Sequence, residues 1–486
     1  MKQSLILLLL FICLTANAQL FRCIVAADGS GTYTTVQSAI DACPEGQQSL
    51  VFIKNGIYNE QVSLGSKTTA STKKISLIGE SAMGVIITHS QSRASSGSPT
   101  FEDICTVKLY ANDFYAENIT IQNTAGNTGM AEALYTAGDR QTFKNCRILG
   151  YQDTYRSKKG TRGYFKNCWI EGAVDFIYAG GVEFFDDCTI NCVNGGGYIT
   201  APEDAYVTIP KASTVCQKFL RVGFFFRNCE ITANSDVPDN SYYLGRPWVS
   251  MAGTFYLNCK LGKHIKPAGW KEWSGNETSS SFAEYNSTDM NGNPIDTASR
   301  VSWSFQLPKA DVDSLLSLQR IYNRVSTTLY NPLPLCKAPK APASVSVNEN
   351  VISWSAVDSV AGYIVMKDGH YFNSLNETTC TDNSGITGTY SVKSAGLSGQ
   401  LSAETSASTS VQNTSESKLR VSISNNILQL SEPVSLILYS ANGKKIISSG
   451  ICTSVSIKNI SSGAYILQTQ DAENHMETKK IIIGNK

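Results

Sequence analysis

Residues 143–148 read Phe-Lys-Asn-Cys-Arg-Ile, and residues 165–170, which start 22 positions later, read Phe-Lys-Asn-Cys-Trp-Ile. Looser copies, in which an aromatic residue is followed by Asn or Asp and usually by Cys, start at positions 115, 185, 225 and 256. A period in the twenties indicates a structural unit that cannot bury its own hydrophobic face and therefore stacks on its neighbours. Apolar β residues with Asn at each bend predict the coils of a parallel β-helix, and hence an all-β fold.

Two acidic residues, Asp153 and Asp175, are separated by the same 22 positions. Because strands of adjacent coils lie about 4.8 Å apart, residues one coil apart are expected to lie side by side. Two close carboxylates cannot both ionise freely, so one keeps its proton at a pH at which the other is charged. The pair could supply an acid together with a base or a nucleophile. Spacing alone leaves open that both are ordinary turn or surface acids.

The chain has 486 residues, which is too long for one ordinary compact core but suits a solenoid with small modules. Its net charge of +1 and its 17% of charged residues argue against a nucleic-acid binder. Residues 1–18 are predicted to be a secretory signal, because Lys2 is followed by the apolar run 5–14 and by Ala16-Asn17-Ala18. The protein is therefore expected to be secreted or held at a cell surface.

The chain has 14 cysteines, and one of them, Cys13, lies within the predicted signal. Five others recur at the same place in successive units, which favours buried thiols stacked inside the solenoid over a disulfide framework. A single isolated disulfide, such as one between Cys188 and Cys192, stays open. Only 4 histidines are present and no CxxC pairs with a second one, so a structural zinc site is not expected.

The segments around the repeats are expected to close the solenoid. Thr34 or Thr35 can cap a short helix whose apolar face begins at Val36 and which would cover the first coil. The remaining expectations are a turn at 56–60, a loop at 90–103, coils that end near 262, an irregular stretch at 263–307 and a closing helix at 311–324.

Two further modules are predicted after the solenoid. A Pro-rich linker at 336–342 leads to short alternating strands, which together with Trp354 indicate a fibronectin type III-like β-sandwich over 343–408. A second linker, rich in Ser, Thr and Asn, is expected at 409–417. The strand-rich end of the chain, 418–486, is interpreted as another small β-sandwich, with a tight turn at Asn442-Gly443.

A bend rich in Gly and Pro, Leu244-Gly245-Arg246-Pro247-Trp248, lies near the end of the coils. Such a bend can project Arg and Trp side chains. Arg246 could pair with a carboxylate through two hydrogen bonds and keep it ionised. Trp248 offers a flat apolar face on which a sugar ring can stack. An ordinary surface arginine and a buried tryptophan are the alternative.

Taken together, several motifs resemble those of pectin methylesterases. The matching pieces are Gly56-Ile57-Tyr58-Asn59-Glu60, Gly150-Tyr151-Gln152-Asp153-Thr154, Asp175-Phe176-Ile177-Tyr178 and Leu244-Gly245-Arg246-Pro247-Trp248. The resemblance covers about residues 24 to 325, with the motifs in the family's order. It implies a right-handed parallel β-helix over 19–335 that hydrolyses galacturonate methyl esters in pectin, releases methanol and needs neither a metal nor another cofactor.

The resemblance also implies roles for matching positions. Asp175 would be the nucleophile, Arg246 would keep it ionised, and Asp153 would give a proton to the leaving methanol and later take one from water. Gln152 would donate a hydrogen bond to the oxyanion. The residues expected along the substrate groove are Trp248, Tyr178, Val174 and Met130.

The chain departs from the family pattern at two places. Met130 stands where the family usually has a second Gln, and methionine cannot donate a hydrogen bond. Glu132 brings an unexpected charge, and Tyr155 and Arg156 replace the usual Leu-Tyr. We therefore expect an active enzyme that is slower than its relatives or adapted to a decorated pectin.

Residues 418–486 are similar to the C-terminal sorting domain of the type IX secretion system, through the phrases at 438–444 and 462–467 and the Lys-Ile ending. This likeness implies export across an outer membrane with that machinery as a partner.

For the solenoid, the other hypotheses are a pectate lyase or polygalacturonase and a non-catalytic carbohydrate-binding β-helix. No acid cluster suited to the calcium of a lyase lies near 150–181. The protein is expected to act as a monomer.

Overall fold

The computed structural model describes residues 20–69, 71–96, 100, 102–209, 220–384, 388–407, 419–424, 426–440, 444–471 and 476–483. The predicted signal at 1–18, the linker at 409–417 and the Asn442-Gly443 turn lie outside these residues. The chain divides between residues 408 and 409 into two compact units.

Short strands and a few helices build the solenoid of the first unit. The strands are β1 Cys23–Val25, β2 Gln48–Ile53, β3 Gly56–Asn59, β4 Val62–Leu64, β5 Lys74–Gly79, β6 Val85–His89, β7 Val107–Leu109, β8 Tyr115–Glu117, β9 Thr120–Asn123, β10 Leu134–Thr136, β11 Gln141–Lys144, β12 Arg147–Leu149, β13 Tyr155–Ser157, β14 Arg162–Lys166, β15 Trp169–Gly172, β16 Val174–Ala179, β17 Val182–Asp186, β18 Thr189–Cys192, β19 Tyr198–Pro202, β20 Thr208–Ile209, β21 Leu220–Arg221, β22 Phe224–Arg227, β23 Glu230–Ala233, β24 Tyr243–Gly245, β25 Gly253–Leu257, β26 Lys260–Leu261, β27 Ser281–Tyr285, β28 Thr288–Asp289 and β29 Phe305–Gln306. The helices are α1 Val36–Asp41, α2 Arg93–Ser96, α3 Lys309–Leu315, α4 Leu318–Val325 and α5 Leu333–Cys336, with 3-10 turns at Glu102–Ile104 and Asn276–Ser279.

Three parallel sheets run the length of the solenoid. The eleven-stranded sheet has the order β1-β2-β5-β8-β11-β14-β17-β22-β25-β27-β29, and the nine-stranded sheet has the order β28-β26-β23-β18-β15-β12-β9-β6-β3. The seven-stranded sheet has the order β24-β19-β16-β13-β10-β7-β4. Each of the seven coils from β2 to β24 gives one strand to each sheet, so the predicted all-β fold and parallel β-helix are confirmed. Crossover connections between parallel strands are right-handed in nearly all proteins.

The repeat seen in the sequence becomes a set of stacked rows. Phe143, Phe165, Phe185, Phe226 and Tyr256 lie in register on consecutive strands. Their rings stack with centroids 4.5–4.9 Å apart. The Asn and Asp residues that follow adopt the left-handed conformation that these side chains tolerate at a bend; they are Asn118, Asn145, Asn167, Asp187, Asn228 and Asn258, with φ between 50° and 60°.

The repeated cysteines form an internal ladder of thiols, as predicted. The Cys146 backbone N–H donates to Cys168 Sγ at 3.4 Å, and the Cys168 N–H donates to Cys188 Sγ at 3.4 Å. Every cysteine within the described ranges is a free thiol, including Cys188 and Cys192. The isolated disulfide left open by the sequence is therefore not formed.

The first coil is closed as expected, but the turn predicted at 56–60 is wrong. Thr35 caps α1 by accepting the Ser38 N–H. Residues 56–59 instead form strand β3, which pairs with β6. Glu60, just after it, accepts hydrogen bonds from the first-turn N–H groups of Val36 and Gln37 at 2.7 and 3.0 Å. The pairing partner of β3 belongs to the next coil, which a short sequence window does not contain.

Three further expectations need correction. The coils do not end at 262, because β27 and β29 extend the eleven-stranded sheet into the stretch predicted to be irregular. The single helix expected at 311–324 is two helices, α3 and α4, because the chain leaves helical geometry at Ser317. The loop expected at 90–103 contains the short helix α2.

Residues 345–406 form a β-sandwich of two antiparallel sheets within the first unit. Its strands are β30 Val345–Asn348, β31 Val351–Trp354, β32 Gly362–Lys367, β33 His370–Leu375, β34 Thr379–Thr381, β35 Tyr390–Ala395 and β36 Thr405–Ser406. One sheet has the order β30-β31-β34 and the other β33-β32-β35-β36.

The sandwich packs directly against the eleven-stranded sheet of the solenoid. The rings of Phe52 and Tyr371 lie 4.7 Å apart. The Tyr371 backbone N–H donates to Glu80 Oε1 at 2.5 Å, and the Leu401 N–H donates to Glu117 Oε2 at 3.1 Å. A shared apolar cluster joins the two parts, so this sandwich is docked on the solenoid.

The second unit is an antiparallel sheet of five strands. They are β37 Val421–Ser424, β38 Ile427–Ser440, β39 Lys445–Ser456, β40 Gly463–Gln470 and β41 Met476–Ile483. The order is β37-β38-β40-β41, with β39 also paired to β38. The strands predicted here thus form one continuous sheet rather than two separate ones. Within the described residues, no helix is long and apolar enough to cross a membrane.

Candidate active site

The two acids singled out by their spacing meet on the seven-stranded sheet. The Asp153 backbone N–H donates to the Val174 carbonyl at 3.1 Å, which places Asp153 and Asp175 in adjacent coils. Both residues are largely buried, with 7% and 8% of their surface exposed. Both have left-handed backbone conformations, with φ of 61° and 48°. The pairing of β16 with β19 shifts register between Val174 and Ile177, and an irregularity of this kind re-aims the side chains beside it.

Arg246 holds the Asp175 carboxylate through two parallel hydrogen bonds. Its Nε donates to Oδ1 at 2.9 Å and its Nη2 donates to Oδ2 at 2.6 Å. The guanidinium carbon lies 3.7 Å from the ring centre of Tyr198 and 4.1 Å from that of Trp273. These contacts fix the arginine and with it the Asp175 carboxylate. Sequence reasoning missed Tyr198 and Trp273, because neither belongs to a motif that announces a contact with Arg246.

The two carboxyl groups have different proton affinities. Burial, with smaller contributions from Asp175 and Glu132, raises the pKa of Asp153 to about 8, although Arg156 and Arg246 oppose this. Burial also raises the pKa of Asp175, but the hydrogen bonds and the charge of Arg246 work against it. Asp175 therefore ionises first, and Asp153 keeps its proton near neutral pH. The site pairs a charged carboxylate with a protonated one.

Gln152 lies between Met130 and Val174 on adjacent coils. Isolated parallel bridges join Met130 to Gln152 and Gln152 to Val174. All three residues are partly exposed. Met130 thus lies next to Gln152, at the position where the family pattern usually has a second Gln. Between them, these two side chains offer one amide donor where two glutamines would offer two.

Two aromatic rings lie near Asp175, on the strand and loop expected to line a groove. Tyr178, on β16, has its ring centre 6.0 Å from that of Trp248. Trp248 is 38% exposed, whereas Tyr178 is only 5% exposed. The loop that carries Trp248 is held by Asn276, whose side-chain amide donates to the carbonyl of Trp248 at 3.0 Å. Trp248 therefore presents the accessible ring.

The two unexpected charges form a pair beside these acids. Glu132 is completely buried, accepts a hydrogen bond from the Tyr178 hydroxyl and lies 3.6 Å from Nη1 of Arg156. The Arg156 guanidinium lies 4.7 Å from the ring centre of Tyr135. Tyr155 points the other way and is fully buried. The changed positions are thus mutually compensating: the new acid has a new guanidinium as its partner.

Among the described residues there is no group of three or more His, Cys, Asp or Glu side chains arranged to hold a metal ion.

Comparison with known proteins gives one consistent result. A family model described as Pectinesterase matches residues 22–315. A probable pectinesterase/pectinesterase inhibitor from Brassica napus is 33% identical over 290 residues, which cover 58% of this chain and 47% of that protein. The chain thus spans about half the length of the curated relatives it matches.

Solved structures are similar over the same part of the chain. A pectin methylesterase from carrot has a TM-score of 0.55 and 30% identity, over 62% of this chain and 93% of that one. A pectin methylesterase mutant in complex with a hexasaccharide has a TM-score of 0.50 and 26% identity, over 64% of this chain and 99% of that one.

Proposed function

Because this chain belongs to the pectinesterase family, we propose that it hydrolyses methyl esters of galacturonate residues in pectin, releasing methanol and leaving pectate. The observation that carries the proposal is the contrast between two adjacent carboxyls. Asp175 accepts two hydrogen bonds from Arg246. Asp153, beside it, retains its proton near neutral pH because its pKa is raised to about 8. A protein that only bound pectin would have no need of this pairing.

In the first half of the reaction, Asp175 attacks the ester carbonyl carbon as a carboxylate. The bond from that carbon to the methoxy oxygen breaks, and Asp153 gives its proton to the leaving oxygen, so that methanol departs. The product is an anhydride between Asp175 and the galacturonate. In the second half, Asp153 takes a proton from water as the water oxygen attacks this anhydride. Hydrolysis returns Asp175 as a carboxylate and Asp153 as an acid.

Two neighbours support these steps. The side-chain amide of Gln152, the residue before Asp153, would donate a hydrogen bond to the oxyanion that forms during each attack. Arg246 keeps Asp175 charged and orients its oxygens, which lowers the cost of reaching the attacking geometry. Met130 adds no second donor, so the oxyanion is stabilised less than it would be beside two glutamines.

The pectin chain is proposed to lie across the outer face of the seven-stranded sheet. Trp248 would stack on a sugar ring, and Tyr178 and Val174 would form the floor beneath it. The bound hexasaccharide in a similar pectin methylesterase supports an extended groove of this kind.

The test is methanol release from highly methyl-esterified pectin by the full chain and by the variants Asp175→Asn and Asp187→Asn. Asp187 is a matched control, because it occupies a bend at which other coils carry Asn. We expect the first variant to lose activity and the second to retain it. Absence of methanol release by the folded parent, with pectin still bound, would favour the carbohydrate-binding alternative.

We further propose that the protein is exported and that the second unit acts as a sorting domain for the type IX machinery. The support is the likeness of residues 438–444 and 462–467 to such tails, together with the predicted signal. In a host that carries this machinery, deletion of 418–486 should leave the protein in the periplasm. Undiminished export of the truncated chain would contradict the proposal.

A further inference from the structure

Four outward-facing residues form a row on the seven-stranded sheet, beside the proposed reaction centre. Lys108, Tyr135, Arg156 and Tyr178 are direct register partners on β7, β10, β13 and β16. Neighbouring members of such a row are about 4.8 Å apart. Cationic and aromatic side chains therefore alternate along this face of the sheet. Tyr135 and Tyr178 are buried and Lys108 and Arg156 are partly exposed, so the row offers positive charge to an anionic sugar chain.

Arg156 forms an ion pair with Glu132, and Arg156 is the exposed member of this pair. Its side chain is 22% exposed, whereas its partner Glu132 is 0% exposed. The hydroxyl of Tyr178 donates to the same Glu132 carboxylate from the neighbouring strand. The negative charge of Glu132 is thus buried beneath the proposed groove, and the positive charge of Arg156 lies at its surface.

The guanidinium of Arg156 is also oriented. It lies over the ring of Tyr135, with 4.7 Å between the guanidinium carbon and the ring centre. That ring in turn meets Tyr110 edge-on, at 5.8 Å between centroids. An arginine stacked in this way loses little freedom when its planar fork of donors meets a carboxylate.

We infer that Arg156 is a specificity-determining residue that binds the free carboxylate of an already de-esterified galacturonate next to the reacting sugar, and that Glu132 positions it and moderates its charge. The inference rests on the proposed function for its substrate. A methyl ester is neutral and cannot form an ion pair, so a guanidinium at this place distinguishes the de-esterified neighbour from the esterified one. Arg156 lies three residues after Asp153, and its charge lowers the pKa of that carboxyl, so this recognition would take place beside the proposed reaction centre.

The direct test uses unesterified trigalacturonate, whose binding needs no catalysis. Titration calorimetry with the full-length parent should detect binding. Arg156→Gln should weaken it about tenfold, the loss of one charge-assisted contact. Glu132→Gln retains an acceptor for the Tyr178 hydroxyl but removes the opposing charge, so it should tighten binding. Arg156→Lys should restore part of the affinity that Arg156→Gln loses.

A purely structural role for the pair predicts a different pattern. If Arg156→Gln and Glu132→Gln both weakened trigalacturonate binding, or if neither changed it, the inference would be overturned. No binding by the parent would overturn it as well.

Kinetics separate this inference from the proposed function. The ratio of kcat/KM on partly de-esterified pectin to kcat/KM on fully methyl-esterified pectin should fall about tenfold in Arg156→Gln. If this ratio were unchanged while methanol was still released, the role of Arg156 would be contradicted and the proposed esterase activity would be supported. Trigalacturonate binding with the expected changes, but no methanol release by the parent, would refute the esterase and leave the carboxylate site standing.

Discussion

Arg246 donates to both carboxylate oxygens of Asp175, at 2.9 and 2.6 Å, whereas Asp153 accepts no side-chain hydrogen bond within the described part of the chain. This asymmetry separates the two carboxyls. Both are buried, and burial favours the protonated form of each. Only one has a guanidinium fork that stabilises its charged form. The proposed nucleophile, Asp175, thus has Arg246 as its hydrogen-bonded partner, whereas the pKa of the proposed acid, Asp153, is raised further by the charges of Asp175 and Glu132.

Replacement of that partner should reveal its contribution. Arg246→Lys keeps a positive charge but loses the fork and the planar contacts with Tyr198 and Trp273. We expect kcat for methanol release to fall roughly 100-fold. Arg140 is a matched control, since it forks Asp113 with bonds of 2.6 and 2.9 Å but lies outside the proposed site. Arg140→Lys should leave kcat unchanged. A loss of less than twofold in Arg246→Lys would contradict the proposed role.

The pH dependence of kcat/KM should follow the two carboxyls. Asp153 is proposed to act as an acid, so activity should fall as pH rises through about 8, its pKa in the folded protein. On the acid side, activity should fall as Asp175 gains a proton, at a pH above the ordinary range of an aspartate, because its pKa is raised. Glu132→Gln removes one cause of the high Asp153 pKa, so the basic limb should move to lower pH. A basic limb that stays in place would show that Glu132 does not influence Asp153.

The free energy of unfolding should also depend on pH because of the raised pKa of Asp153. The pKa of Asp153 rises from 3.8 to about 8 on folding, so between these values the folded protein binds more protons than the unfolded chain. The contribution of Asp153 to stability is therefore present at low pH and is lost as pH rises towards 8. Asn does not titrate. Relative to the parent, Asp153→Asn should gain in Tm from pH 5 to pH 8 and then level off. Thermal unfolding at several pH values measures this, and Asp187→Asn should show no such trend.

The missing oxyanion donor is also open to test. Met130 is paired with Gln152 across adjacent coils, so an amide at this position would lie beside the first one. Met130→Gln should raise kcat by on the order of tenfold, because an added oxyanion donor stabilises the transition state. Met130→Leu is the control, with similar size and no donor. If both variants were no faster than the parent, oxyanion stabilisation would not limit the reaction.

The docked sandwich should stabilise the solenoid. Truncation after residue 336 would expose buried Phe52 and Ile78 and remove the N–H partners of Glu80 and Glu117. We expect the Tm of the solenoid to fall by roughly 5–10 °C. Truncation after 408 removes a separate compact unit and should leave this transition unchanged. Equal melting temperatures for the two truncated chains would contradict a stabilising contact.

Much of the site follows from local periodicity. The phrases at 143–148 and 165–170 specify which residues stack, and Asp153 and Asp175 share their 22-residue separation. They therefore had to meet on neighbouring coils. The thiol ladder and the asparagine bends follow from the same repeat. Met130 beside Gln152 could also be anticipated, because the departure from the family pattern was visible in the sequence.

Other relationships depend on coils whose lengths vary, and the repeat does not encode them. Arg246 is 71 residues from Asp175, and only the closing of intervening coils brings its guanidinium between Tyr198 and Trp273. The sequence displayed Glu132 and Arg156 as two unrelated departures. They form an ion pair only in the tertiary structure. Glu132 lies just before β10, and β10 pairs with β13 so that Tyr135 and Arg156 are in register. Docking of the sandwich likewise depends on the match of two separate surfaces. Sequence by itself determined which residues repeat, since stacking of like units is a local rule; only the three-dimensional fold decided which unlike residues meet, because those contacts are set by burial and register over long separations.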